Sequence, residues 1–132
     1  MASSHPVSPD SISAAEERYL VAVHHVDAVM GSVSLADVAR HLGVRAVSAR
    51  GMLRRLADAG LVTVSRRSGV RLTARGGAAA AESLRRRRLI AAYLEAHLGY
   101  GHEHAAAEAE RLAHDATPEL VERMRAAVDG GE

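Results

Sequence analysis

Apolar residues recur along most of this chain at helical spacing, and the interruptions divide it into six helices and one pair of short strands. Ile12, Tyr19, Leu20, Val23, Val26 and Met30 lie on one face of a first helix, capped by Asp10 or Ser11 and ended by Gly31. Ser34 caps a second, short helix in which Leu35, Val38, Ala39 and Leu42 face inward, and Gly43 closes it. A third runs from Ala46 to Ala59 with Ala49, Met52, Leu53 and Leu56 as its buried stripe and Gly60 as its cap. The spacing then changes. Leu61–Val64 and Val70–Thr73 are short and β-branched, and the SRRSG turn between them offers Gly69 for a positive φ.

Helical spacing returns from Ala74 to Leu98, where Leu84, Leu89, Ile90, Tyr93 and Leu94 are the apolar positions. Gly76 and Gly77 weaken its first turn, so a short break is expected there. A fifth helix spans His102 to Ala113. Thr117 caps a sixth with Pro118 at its first position, and Leu120, Val121, Met124 and Val128 form its apolar stripe. Two short helices, a tight turn and a hairpin between Ser34 and Thr73 describe a winged helix-turn-helix. The expected fold is mainly α, with a tail over residues 1–11. A winged-helix domain over 12–75 and a helical dimerisation domain over 76–132 follow it.

Charge sharpens this picture. The formal net charge is only +1, and all 17 basic residues are arginine. Residues 40–75 hold nine of them against the single acid Asp58, while residues 101–132 hold three against eight acids. A basic block that coincides with the winged-helix pattern points to double-stranded DNA. Three tyrosines are the only aromatic residues, which speaks against stacking on single strands. There is no cysteine, so disulfides and thiolate metal sites are excluded. No apolar run approaches the roughly 20 residues of a membrane span, and the first dozen residues lack the layout of a secretory signal. A cytoplasmic location is expected.

In a helix-turn-helix the second helix enters the major groove by its N-terminal end. Arg45, Val47, Ser48 and Arg50 face outward there and are the candidate base readers, since Arg suits guanine and Val a thymine methyl. Arg54 and Arg55 lie a turn further and are expected on phosphate, with Arg66, Arg67 and Arg71 on the wing. Glycine-rich phosphate loops and catalytic constellations are lacking, so an enzyme is not expected.

Six segments in order also resemble the diphtheria-toxin-repressor and manganese-regulator (DtxR/MntR) family. They are Glu17-Arg18-Tyr19-Leu20, DVARHLGV, MLRRLADAGLV, GVRLTARG, RRRRLIAAYL and EAERLAHDATPEL. The resemblance implies a winged-helix domain, a helical metal-binding and dimerisation domain, and a homodimer on a palindromic operator. The SH3-like third domain of some members has no counterpart in these 132 residues. It also implies control by iron or manganese, but the ligand positions depart from the family. They correspond to Arg18 and Val21 in the first helix, Arg87 in the long helix, and Glu110, Ala113 and His114 further on. Two ancillary positions correspond to Ala91 and Ala106.

Arginine cannot ligate a cation and repels it. The expectation is therefore that no metal cofactor is used, and that Arg18 and Arg87 join Glu110 in salt bridges that stand in for the metal. Glu110 and His114, four apart on one helix face, would remain as vestigial ligands. The alternative is a manganese- or iron-responsive repressor whose remodelled site uses Glu110 and His114, with a histidine from His97, His102 or His104. A further alternative is a dimeric protein-interaction module that does not bind DNA. In each case Leu112, Leu120, Val121, Met124 and Val128 are the expected dimerisation residues.

Overall fold

Ser13 starts the first helix of the computed structural model, which describes residues 11–130. Its hydroxyl accepts from the Glu16 N–H at 3.1 Å, and the Glu16 carboxylate accepts from the Ser13 N–H at 2.8 Å. This reciprocal cap needs an acid three residues downstream. Ser13 has Glu16 there, whereas Ser11 has Ala14, so the expected cap at Ser11 is displaced by two residues; Asp10 lies outside the described residues. Helix α1 (Ala14–Met30) buries Tyr19, Leu20, Val21, Ala22, Val23 and Val26, almost all round in its middle. Met30, expected on the buried stripe, is 57 % exposed in the last turn.

Helix α2 (Leu35–Leu42) repeats the device, with Ser34 and Asp37 as the reciprocal cap. The charged form of Asp37 is favoured by these Ser34 bonds and then by Arg40, which lowers its pKa below the usual carboxylate value. Helix α3 (Ala46–Asp58) buries Ala49, Leu53 and Leu56; Ala59 caps it and Gly60 follows with φ +79°.

Strands β1 (Val62–Ser65) and β2 (Gly69–Leu72) pair antiparallel, Val62 opposite Leu72 and Ser65 opposite Gly69. Each is shifted one residue from its expected limits. The wing is fastened to the α1–α2 connection by the Val70 N–H, which donates to the Val33 carbonyl at 2.9 Å. Gly69 makes that approach possible: its φ is +73°, and a Cβ there would sit 2.2 Å from the same carbonyl.

Helix α4 (Ala74–Leu98) starts without the expected break. Thr73 accepts from the Gly76 N–H at 3.1 Å and donates to the Gly60 carbonyl at 2.7 Å. Gly76 is not a weak point but a close-packing residue, since a Cβ there would lie 1.9 Å from the Leu61 carbonyl oxygen. Gly76→Ala is therefore expected to destabilise the chain by about 1–3 kcal/mol, despite alanine's better helix propensity. Urea unfolding of Gly76→Ala beside Gly77→Ala, where a Cβ meets nothing within 4 Å, checks this.

Helices α5 (His102–Leu112) and α6 (Pro118–Asp129) complete the chain, with Thr117 capping α6. Two cores result. One joins α1, α2, α3 and the wing to Ala80, with Ala79 and Leu84 packed on it. The other comprises Ile90, Leu94, Ala105, Ala109, Ala113 and Val121. Helix α4 belongs to both. No single helix among the described residues is long and apolar enough to cross a membrane.

Candidate DNA-binding face and inter-helix polar network

Helix α3 packs its Ala49, Leu53 and Leu56 inward, which turns Arg45, Val47, Ser48, Arg50, Arg54 and Arg55 outward. All six are exposed, as are Arg66, Arg67 and Arg71 on the wing. The structure thus places every sequence-predicted DNA contact on the surface of the same α3–wing unit. Arg55 has an internal partner, Glu16 of α1, at 3.6 Å. Val64, on β1, is 53 % exposed and went unassigned in the sequence because it was counted toward the hairpin's apolar run.

Between α1 and the C-terminal helices the expected triad does not form. Among the described residues no hydrogen bond or ion pair joins Arg18 or Arg87 to Glu110. Glu17 and Arg86, one position earlier in each helix, make the connection instead. The Glu17 carboxylate accepts from both sides: Arg86 Nη2 reaches Oε1 at 3.3 Å and Oε2 at 3.1 Å. The buried Ser83 hydroxyl donates to Oε1 at 3.2 Å, and His114 Nδ1 lies 3.0 Å from Oε2. Arg86 Nε also donates to the Ala113 carbonyl at 2.9 Å. One carboxylate of α1 is thereby tied to α4 and to the end of α5.

Phase explains the one-residue difference. Arg86 stands four and eight residues before Ile90 and Leu94, both buried, so its face turns inward, while Arg18 is exposed. Glu110 and His114 do not share a face either. Helix α5 ends at Leu112, and His114 lies in the turn beyond it. His114 turns to Glu17, whereas Glu110 lines a separate groove of about 830 Å³ with His25, Arg87, Glu95 and His102. Partial burial, then His24, His41 and Arg87, lowers the His25 pKa from its usual value; Glu110 opposes the shift.

Of the expected dimerisation residues, Leu112 and Leu120 are 42 % and 45 % exposed, while Met124 and Val128 are half-buried. Val121 is withdrawn from the set: it is 2 % exposed in the second core, because α6 folds back on α4.

These features meet two adjacent family profiles. Residues 11–70 match the iron dependent repressor N-terminal DNA binding domain, and residues 73–130 match the iron dependent repressor metal binding and dimerisation domain. The chain belongs to the iron-dependent repressor family.

A solved manganese-dependent transcriptional repressor, in complex with manganese, is 32 % identical to this family member with a TM-score of 0.78, over 86 % of this chain and 52 % of that one. IdeR of T. acidophilum is 28 % identical with a TM-score of 0.77, over 91 % and 55 %. The manganese regulator SloR is 28 % identical with a TM-score of 0.76, over 86 % and 53 %. The chain therefore spans about half the length of these relatives. None of the curated proteins matches it.

The matches overturn the expectation that no metal cofactor is used. Residues 73–130 match a metal binding domain, and similar solved structures include manganese, zinc and cadmium complexes. Among the described residues no three His, Asp or Glu side chains converge as they stand. Two carboxylate–imidazole pairs meet, Glu17 with His114 and Glu95 with His102. Of these, Glu17 and His114 join α1 to the C-terminal helices and are donor types that suit a first-row divalent ion, although Glu17 is also held by Arg86.

Proposed function

We propose that this chain is a metal-responsive, DNA-binding transcriptional regulator, acting in the cytoplasm as a homodimer on a palindromic operator. The observation that carries the reading is the Glu17–His114 contact, because it joins α1 of the DNA-binding half to the half that matches a metal binding domain. We divide the chain into a DNA-binding unit over 12–75 and a metal-binding and dimerisation unit over 76–132.

Arg45, Val47, Ser48 and Arg50 read base edges in the major groove. Arg54 holds phosphate, and Arg66, Arg67 and Arg71 hold the backbone beside the wing. Arg55 acts chiefly by fixing α3 to Glu16 of α1. Leu112, Leu120, Met124 and Val128 supply apolar surface for the second copy.

Glu17 and His114 would hold the metal, Glu17 giving up Arg86. A bound divalent cation supplies concentrated positive charge and directional bonds to carboxylate and imidazole. Glu17 orients α1, which carries much of the first core, and His114 sets the end of α5 against it. The pose of α1 fixes α3 through their shared core. Glu110 remains in the neighbouring groove and is not needed in the ligand set.

The test compares DNA affinity in chelator with affinity after adding manganese or ferrous iron, alongside the metal content of the purified chain. Tighter binding with metal, together with a salt-dependent shift on random duplex, is expected. Equal affinity in chelator and in metal would sink the metal-responsive reading. Loss of any DNA shift would favour the protein-interaction module.

A further inference from the structure

Arg75 belongs to the basic block of the sequence, but its guanidinium is turned onto the protein's own backbone. Its Nη1 donates to the carbonyl of Ala59, the residue that caps α3, at 2.7 Å. The next two carbonyls are held from the same turn. The Gly60 carbonyl accepts from the Thr73 hydroxyl at 2.7 Å, and the Leu61 carbonyl accepts from the Thr73 N–H at 3.1 Å. Three consecutive carbonyls at the end of α3 are thus bonded by Thr73 and Arg75, at the start of α4. Gly60 leaves room for the guanidinium, since a Cβ there would lie 3.3 Å from Arg75 Nη1.

Carbonyls at a helix C-terminus lack partners within the helix and carry the negative end of its dipole, so a cationic donor is favoured there. The reading end of α3 has no comparable hold. Arg45 caps it without a side-chain hydrogen bond, and the Glu16–Arg55 pair is 3.6 Å long with its arginine exposed. The 13 residues of α3 span roughly 20 Å, so a tilt of about 5° displaces one end relative to the other by roughly 1.7 Å. Hydrogen bonds to base edges tolerate a spread of only about 0.5 Å.

We propose that Arg75 is a positioning residue for operator reading. It fixes the angle at which α3 presents Arg45, Ser48 and Arg50, and it does so from α4, the helix that continues into the second core. The proposal rests on the DNA-binding reading of α3, and an arm without DNA keeps the two apart. It does not rest on metal response, so parent and variants share one manganese-containing buffer.

Arg75→Met keeps the apolar stem and removes the donor. Arg75→Lys keeps a donor and the charge. Fluorescence anisotropy follows both variants and the parent over a salt series, on a duplex that the parent selects from a random-sequence pool and on an unselected duplex. Arg75 is exposed, so both variants are expected to fold, and thermal melts verify it. Arg75→Met is expected to bind the selected duplex about tenfold more weakly. Its affinity for the unselected duplex stays within about twofold, with the same salt slope, because no phosphate contact is lost. Arg75→Lys recovers affinity for the selected duplex to within about threefold of the parent. Without DNA, the Gly60 and Leu61 amides, which donate to the Ala57 and Leu56 carbonyls, exchange their hydrogens at least about fivefold faster in Arg75→Met, while the Val70 amide of the wing is unchanged.

A selected-duplex affinity within twofold of the parent in Arg75→Met overturns the proposal. So does an equal loss on both duplexes with the salt slope lowered by about one, the mark of a phosphate contact. Arg75→Lys that binds no better than Arg75→Met overturns it as well, as do unchanged Gly60 and Leu61 exchange rates. A parent that shifts neither duplex defeats the DNA-binding reading itself, and faster exchange would then leave Arg75 as a clamp on α3 with no reading role.

Discussion

Arg86→Ala is expected to cost about 3–5 kcal/mol of stability and to lower the thermal midpoint by roughly 10 °C or more. The magnitude follows from enclosure. The Arg86 and Glu17 side chains are only 16 % and 14 % exposed, so removing one leaves the other's charge poorly hydrated. The substitution also strips the Ala113 carbonyl of its donor at the turn that carries His114. Lysine cannot repair it, because one ammonium cannot hold the Glu17 carboxylate as Nη2 does and also reach the Ala113 carbonyl as Nε does. Arg85→Ala is the control. Its pair with Glu82 is 46 % and 50 % exposed, so a change within about 0.5 kcal/mol is expected. Circular dichroism melts of both variants decide the matter; an Arg86→Ala midpoint within 2 °C of the parent (roughly half a kcal/mol or less) refutes the role given to the network.

The combined variant Arg50→Ala and Arg54→Ala is expected to lose about a hundredfold or more in operator affinity. Arg50, near the start of α3, loses base contacts worth about 1–3 kcal/mol, and Arg54 removes a phosphate contact. The two changes separate by salt. Removing Arg54 lowers the slope of log affinity against log salt by about one, while Arg50→Ala relaxes preference among operators. Both side chains are exposed, so folding is left intact. Fluorescence anisotropy over a salt series, on operator and on random duplex, reads both effects. An unchanged affinity in the double variant sinks the assignment of α3 as the reading helix.

Much of this architecture was legible because local signals agreed. Ser34, Gly43, Thr73 and Pro118 each combine a cap or stop with a change in apolar spacing, and α4 runs over its expected limits. What was not legible depends on rotation about a helix axis. In Arg85-Arg86-Arg87-Arg88 the residue type carries no phase, and neither does Glu16-Glu17-Arg18. Phase had to come from Ile90 and Leu94, which place Arg86 inward. Gly76 was misjudged for a related reason: propensity describes the helix alone, while the Leu61 carbonyl that requires a glycine comes from another element. His114 could not be placed because its partner lies 97 residues away and its own helix stops before reaching it.

Helix α4 crosses from one core to the other without a loop. Over its 25 residues it extends roughly 37 Å, with Ala80 anchored at one end and Ile90 and Leu94 at the other. A stiff shaft of this kind has no free joint. Any message from the C-terminal helices to α3 must pass as a small tilt or slide of packed surfaces, not as a swing about a linker. Such a shaft also makes the two cores lose their support together, so neither half has an independent resting orientation to which it could relax.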